Sequence, residues 1–209
     1  MDFSKLAEAV SGGKYKEAVE LVKEGLDEGV DPQTILDEGM LKGMAELGVR
    51  FRDGKAFVPE VLMAAKALND GMELLKDKLS DNPIAAAGKV VIATVYGDLH
   101  DIGKNLVKMI LETSGFNVID LGVDVETDVI VEAVREHKPD ILALSALLTT
   151  TMAYQQKVIE ALKAAGLRDS VKVIIGGAPV RQEFCDMIGA DGYTKDAPNA
   201  GELAKSLLA

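Results

Sequence analysis

Tryptophan is absent from this 209-residue chain, histidine occurs twice and cysteine once. The single cysteine, Cys185, cannot close an internal disulfide, complete a four-cysteine zinc site or carry an iron–sulfur cluster. None of those frameworks organises the fold. No apolar run approaches the roughly 18 residues of a membrane-spanning helix. The opening MDFSKLAEAV lacks the basic and apolar stretches of a signal peptide, so no membrane is expected and the expected location is the cytoplasm. Basic charge is scarce as well: 23 Lys and Arg against 34 Asp and Glu give a net charge of −11. The deficit is shared, with 11 basic and 17 acidic residues in 1–83 and 12 and 17 in 84–209. A phosphate backbone would find no positive footprint, which argues against nucleic acid as a partner. What is present, 48% hydrophobic and 27% charged residues, is the composition of an ordinary globular protein of one large domain or two small ones.

The two halves differ in period. In the first, apolar residues recur at spacings of three and four. A short opening helix carries Phe3, Leu6 and Ala9; a second carries Ala18, Val22 and Leu26 and stops at Gly29. Asp31-Pro32 supplies an N-cap and a first-turn proline for a third, lined by Leu36, Met40, Met44 and Leu47. A fourth starts near Pro59 and runs through Val61, Ala65, Leu68, Met72, Leu75 and Leu79. This predicts a four-helix bundle over residues 1–83, with a linker and hinge at Asp81 to Gly88. From Lys89 the chain alternates short β-branched runs (Val90–Val95, Val118–Leu121, Ile141–Ser145, Val171–Ile175 and one near Tyr193) with five amphipathic helices. Residues 84–209 are thus expected to form an α/β flavodoxin-like, Rossmann-type domain on a five-stranded parallel sheet.

In such a sheet the ligand crevice lies beyond the carboxyl ends of the strands, and three of the loops there are unusual. The first, Tyr96-Gly97-Asp98-Leu99-His100-Asp101-Ile102-Gly103, sets a histidine two residues after an aspartate. The third, Ser145-Ala146-Leu147-Leu148-Thr149-Thr150-Thr151, is rich in hydroxyls, and the fourth is Gly176-Gly177, where backbone can be approached closely. Taken alone, His100 reads first as a solvated loop residue, with Asp101 capping the next helix, and second as a metal ligand whose second ring nitrogen donates to Asp98. One imidazole does not hold zinc unaided, but it serves as an axial ligand to a metal that a macrocycle already encircles. His137, at a helix end, reads as a structural or surface residue, and Ser145 alone reads equally as a satisfied strand-end hydroxyl or as part of a site.

The joint pattern is more specific than its parts. Asp98-Leu99-His100-Asp101-Ile102-Gly103 resembles the D-x-H-x-x-G cobalamin motif, followed by Ser145-Ala146-Leu147 and then Gly176-Gly177 at matching spacing. The Lys104-Asn105-Leu106-Val107 continuation and the Ser-Ala-Leu-Leu-Thr-Thr-Thr-Met stretch resemble the small corrinoid proteins of methyltransferase systems. In the first half, Gly-Val-Asp-Pro at 29–32, Gly43-Met44 and Phe57-Val58-Pro59-Glu60 with Ala64-Ala65 resemble that family's helical cap. The resemblance implies cobalamin or a related cobamide bound with His100 on cobalt in place of the cofactor's own base. Asp98 would accept the other imidazole N–H, and Thr151 would hydrogen-bond Asp98. Ser145, Leu147 and Thr149 would line a pocket for the displaced nucleotide tail, with Gly103, Gly176 and Gly177 giving it room. Phe51 and Val58 align with two apolar residues that shield the corrin in the cap of methionine synthase, although Val58 stands where a leucine is found there. Both also read as bundle core.

The function implied is a methyl carrier: a substrate-specific methyltransferase loads a methyl group onto Co(I), and an acceptor-side methyltransferase moves it to a thiol or folate. A reductive activation protein would be a further partner. The chain is then a prosthetic-group subunit more than a complete enzyme. No second constellation for activating a methyl donor is visible in the sequence. Two other classes share parts of the pattern. A cobalamin-dependent regulator or light sensor would normally add a basic DNA-binding segment, and the small subunit of an adenosylcobalamin mutase usually lacks a preceding helical cap.

Overall fold

The computed structural model describes residues 1–75, 78, 87–195 and 197–209. Contacts divide the chain into two compact units, Met1–Ala86 with Thr113–Gly115, and Ala87–Glu112 with Phe116–Ala209. The boundary expected at 83/84, the linker from Asp81 and the expected Leu79 contact lie outside the described residues, except for Ala87 and Gly88.

The first unit is helical. Helix α1 (Phe3–Ser11) begins where the Asp2 side chain accepts from the Lys5 N–H. Helix α2 (Tyr15–Asp27) ends before Gly29, whose φ of +76° lets the chain turn back. Asp31 caps α3 (Pro32–Thr34) by accepting from the Thr34 N–H at 3.0 Å. The chain then continues through a π-helical stretch, Ile35–Leu41, into α4 (Lys42–Arg52), and α5 (Val58–Leu75) follows. Leu36, Met40, Met44 and Leu47 are all buried, as their spacing predicts. The buried stripe of α5 is broader than the predicted seam, taking in Ala64, Ala67 and Gly71, while Ala65 is only half-buried. The π-helical stretch was not legible in the sequence. Two of its surroundings explain the glycines there: a Cβ on Gly39 would meet Leu6 at 2.4 Å, and one on Gly43 would meet the Ala7 carbonyl oxygen at 2.4 Å. Helix α1 lies too close for any side chain.

The second unit is a five-stranded, all-parallel sheet in the order β2-β1-β3-β4-β5. Its strands are β1 (Lys89–Thr94), β2 (Asn117–Asp120), β3 (Ile141–Ser145), β4 (Lys172–Gly176) and β5 (Gly192–Tyr193). The crossovers are α6 (Ile102–Thr113), α7 (Thr127–His137), α8 (Met152–Ala164) and α9 (Gln182–Ile188), and α10 (Ala200–Leu208) closes the chain. Alternate strand residues serve opposite faces. Val91, Ala93, Leu142, Leu144, Val173 and Ile175 join the core with α7, α8 and α9. Val90, Ile92, Ile141, Ala143 and Ile174 pack with Leu111, Phe116 and Ala204 on the other side. Each buried Val, Leu, Ile or Phe among these contributes about 1.5–3 kcal/mol, and burial on both faces is why the strands are nearly continuous apolar runs. Strand order reverses at β1, so the loops leaving β1 and β3 part at their carboxyl ends and open a crevice between them.

Candidate functional site

The loop after β1 is tied down at several points before it reaches its histidine. Gly97, with φ +78°, donates its N–H to Asp124 Oδ1 at 2.7 Å, and Asp124 donates its own N–H to the Asp98 carbonyl at 2.9 Å. The Thr94 hydroxyl donates to the His100 carbonyl at 2.9 Å. Backbone placement thus fixes where both side chains emerge.

Asp98 is fully buried, whereas the His100 side chain is half exposed. One carboxylate oxygen, Oδ1, lies 2.7 Å from His100 Nδ1 and accepts the His100 backbone N–H at 3.1 Å. The other, Oδ2, accepts from the Thr151 hydroxyl at 2.6 Å, the Leu147 N–H at 2.7 Å and the Leu148 N–H at 3.3 Å. Burial alone would raise the Asp98 carboxyl. Hydrogen bonds from Thr151, the His100 ring and the Leu147 and His100 backbone outweigh it and hold Asp98 well below the usual carboxylate range. An ionised Asp98 only accepts, so the imidazole proton it meets is on Nδ1, and in the neutral ring Nε2 is then the nitrogen with the free lone pair.

His100 stands at the edge of a cavity of ≈ 540 Å³ between the sheet and α6. Ile92, Ala143 and Ile174 form its floor, and Gly103, Ser145, Leu147, Gly176 and Gly177 line it. A Cβ on Gly103 or Gly176 would meet nothing within 4 Å, so both leave open space that a side chain would occupy. Gly177 is different: its φ is +132°, and a Cβ there would fall 1.7 Å from the Ala146 carbonyl oxygen. That glycine lets β3 and β4 stay close just beyond the Ser145–Gly176 pair.

The structure therefore brings together His100, Asp98 and Thr151 as one hydrogen-bonded set, and Gly103, Ser145, Leu147, Gly176 and Gly177 as one cavity lining. Thr149 lies apart from that lining. It sits exposed in the turn closed by the Thr151 N–H on the Leu148 carbonyl (3.1 Å), and it does not line the cavity. That turn lifts Thr149 out while it carries Thr151 inward. Phe51, half-buried, and Val58, 39% exposed, belong to the helical unit. Phe57, Leu62 and Met63 are exposed in the same stretch, so Val58 is outside that unit's buried core. His137 ends α7 and is not among the residues lining the cavity; its backbone carbonyl accepts from Lys89 Nζ at 2.9 Å.

Three residues escaped sequence reasoning. Lys104 is buried and lines the cavity, donating to both Asp120 oxygens at 2.7 Å and to Asn105 Oδ1 at 2.8 Å. Burial pushes Asp120 up, but the Lys104 hydrogen bond and charge, with the Gly122 N–H and Lys108, leave it below its ordinary value. Lys104 falls on the same helical face as Val107 and Leu111, which was a legible sign of burial. Asp124 sits in a tight turn at φ +52°. Gln155, one turn after Thr151, lies among the buried positions Val158, Ile159 and Leu162 of α8.

The chemistry of this donor set can be tested against a metal group. Among the described residues no cluster of three or more His, Cys, Asp or Glu could hold an ion. A metal held by protein alone does not fit. A metal already held by a macrocycle does fit: His100 would offer it one lone pair from Nε2, and the cavity beside His100 would take a bulky appendage of that group.

Comparison with known proteins gives the same answer. A family model for the B12 binding domain matches residues 88–201, and a second model of that description matches residues 3–76. Trimethylamine corrinoid protein 1 of Methanosarcina acetivorans is 42% identical over 207 residues, covering 98% of this chain and 96% of that one. Dimethylamine corrinoid protein 1 of the same organism is 46% identical over 195 residues, covering 93% and 92%. The crystal structure of the methanol:cobalamin methyltransferase complex from Methanosarcina barkeri matches at TM-score 0.90 and 33% identity, over 98% of this chain and 78% of that one. Matched over more than half its length by one B12 binding domain model and related along nearly all of it to corrinoid proteins, this chain belongs to the B12-binding corrinoid proteins, and cobalamin or a related corrinoid is its cofactor.

Proposed function

We propose that the chain is the methyl-carrying subunit of a methyltransferase system. It would receive a methyl group from a substrate-specific methyltransferase and give it to an acceptor-side methyltransferase that serves a thiol or folate. When bound, the corrinoid supplies a reduced cobalt able to take and release the methyl group. The chain's own residues bind, orient and protect it. The observation that carries this reading is the buried Asp98, which commits His100 Nδ1 and leaves Nε2 as a metal-directed lone pair beside an apolar cavity. In this reading His100 is the axial ligand, Asp98 and Thr151 fix its tautomer and store or release a proton at Nδ1, and Gly103, Ser145, Leu147, Gly176 and Gly177 receive the displaced nucleotide tail. Thr149 stays in that set on the resemblance alone, since it is exposed and not among the residues lining the cavity. Residues 1–83 act as a cap whose Phe51 and Val58 provide apolar cover, and residues 84–209 hold the cofactor.

The similarity to a methanol:cobalamin methyltransferase complex supports a methyltransferase as the first partner. Relatives named for two different amines at similar identity, 42% and 46%, support a donor chosen by that partner and not by this chain. A reductive activation protein completes the set of partners, and the cytoplasm is the location proposed. Methyl iodide is the simplest probe. The loaded and chemically reduced protein takes up one methyl group per chain and surrenders it when a cognate acceptor methyltransferase and thiol are added. Loaded protein that takes up no methyl group under these conditions would remove the carrier reading.

A further inference from the structure

Gln155 is fully buried, and its amide has one possible orientation. Nε2 lies 2.9 Å from the Leu144 carbonyl oxygen and 3.0 Å from the Gly176 carbonyl oxygen, and only the NH2 end can donate to both. The amide oxygen is left buried without a partner, the one such side-chain atom among the described residues. An orphaned buried acceptor is destabilising, so packing convenience is a poor reason for this residue. A leucine would fill the place without the penalty.

What the amide touches suggests another reason. Leu144 and Gly176 stand at the carboxyl ends of β3 and β4, where Ser145 pairs with Gly176 as the last rung. The same Gly176 carbonyl also accepts the Ala146 N–H at 3.1 Å. Gln155 sits four residues after Thr151 on the same face of α8, and Thr151 is the hydroxyl that donates to Asp98 at 2.6 Å. Because the amide is planar and both of its protons are committed to different strands, it fixes the spacing of β3 and β4 and the rotation of α8 about its own axis. A turn of α8 that freed Gln155 would carry Thr151 off Asp98.

We propose that Gln155 is a positioning residue that braces α8 against the ends of β3 and β4, so that Thr151 stays on Asp98 and Asp98 holds His100 in the metal-binding tautomer. The proposal rests on the reading of His100 as the axial ligand. Its test uses full-length Gln155→Leu and Gln155→Met, each apolar and of similar size. In the unloaded protein, labelled with 15N-histidine, the His100 Nδ1 proton exchanges with solvent about tenfold faster in both variants than in wild type. In protein loaded with cobalamin and poised as Co(II), the fraction showing histidine-nitrogen coupling by electron paramagnetic resonance falls. Affinity drops by about tenfold, the low end for groups that orient a metal ligand. Combining Gln155→Leu with Thr151→Val gives no more loss than Thr151→Val alone, because both act through one contact. Variants that match wild type in proton exchange and coupling, or losses that add in the double variant, overturn the brace. In wild type itself the Gln155 amide protons exchange as slowly as core amides, and fast exchange there overturns it even if neither variant folds. His100→Ala separates the two ideas: nitrogen coupling that survives this change defeats the ligand assignment, while its loss beside wild-type behaviour of Gln155→Leu defeats the brace alone.

Discussion

Replacing Asp98 by asparagine keeps the shape of the side chain and removes its charge, and the consequences can be worked from its contacts. Asp98 accepts four hydrogen bonds of 3.1 Å or shorter, from Thr151, Leu147 and two groups of His100. An asparagine must turn its NH2 toward one pair of these donors. Facing His100, it opposes the backbone N–H and forces the ring to move its proton to Nε2, which destroys the lone pair a metal would use. Facing Leu147, it opposes that N–H, though the Thr151 hydroxyl can rotate to accept. The second arrangement costs less: one buried donor is left unsatisfied, at about 1–3 kcal/mol, and charge-assisted bonds are weakened. Asp98→Asn should therefore lower the unfolding free energy of the unloaded protein by about 2–4 kcal/mol at pH 7. Corrinoid affinity should fall by about 10- to 100-fold, as for other groups that orient a metal ligand. The pH dependence has a definite sign. A carboxylate whose folded pKa is depressed contributes stability that is fully present above its unfolded value of about 3.9 and is lost as pH falls toward the folded value. The gap between wild type and Asp98→Asn should be constant between pH 7 and about pH 5 and shrink below about pH 4. Urea denaturation across that range measures it. A gap under about 0.5 kcal/mol at pH 7, or one that widens in acid, would refute the reasoning.

Gly177→Ala should cost at least about 3 kcal/mol or prevent folding, because its Cβ meets the Ala146 oxygen and its φ is left-handed; a thermal melt within a few degrees of wild type would contradict this. Gly176→Ala, whose Cβ meets nothing, should leave the unloaded melting temperature unchanged yet weaken corrinoid binding, as a titration of the two forms would show. Lys104→Met removes the nearest cation from Asp120, which keeps the Gly122 N–H and Lys108, and should destabilise by about 1–3 kcal/mol, while adding Asp120→Leu restores part of the loss; a double variant as unstable as the single one would count against a paired charge. Phe51→Ala combined with Val58→Ala should increase the light sensitivity of the methylated, loaded protein without lowering its affinity for corrinoid, and equal photolysis rates would confine both residues to a packing role.

Much of the α/β half was legible because a parallel sheet leaves a plain signature. Ile141–Ser145 begins and ends where its apolar pattern does, and β1, β2 and β4 shift by one residue from theirs. The His100–Asp98 contact was readable because the two residues are only two apart in one loop and can meet through local backbone geometry. The Thr151–Asp98 bond joins residues 53 positions apart and came only from resemblance, since no periodicity encodes a contact between two loops. Thr149 shows the limit from the other side. In a run of three threonines composition cannot say which one turns inward, and the turn at Leu148–Thr151 decides it. The π-helical stretch Ile35–Leu41 was hidden because its buried residues keep helical spacing, and only the glycines at 39 and 43 hinted at a close neighbour. Gln155 was invisible for a similar reason: a polar residue on an apolar stripe carries no sign of which carbonyls it will find.

The central claim is that His100 binds cobalt through Nε2, and one measurement addresses it directly. Protein grown with 15N-histidine is loaded with cobalamin, reduced to Co(II) and examined by electron paramagnetic resonance, where an axial nitrogen splits the cobalt lines. The account predicts that the triplet splitting of ordinary protein becomes a doublet on histidine labelling, persists in His137→Ala and vanishes in His100→Ala. A splitting that ignores histidine labelling, or that survives His100→Ala, would mean that the cofactor keeps its own base or takes another ligand, and the account would be wrong at its centre.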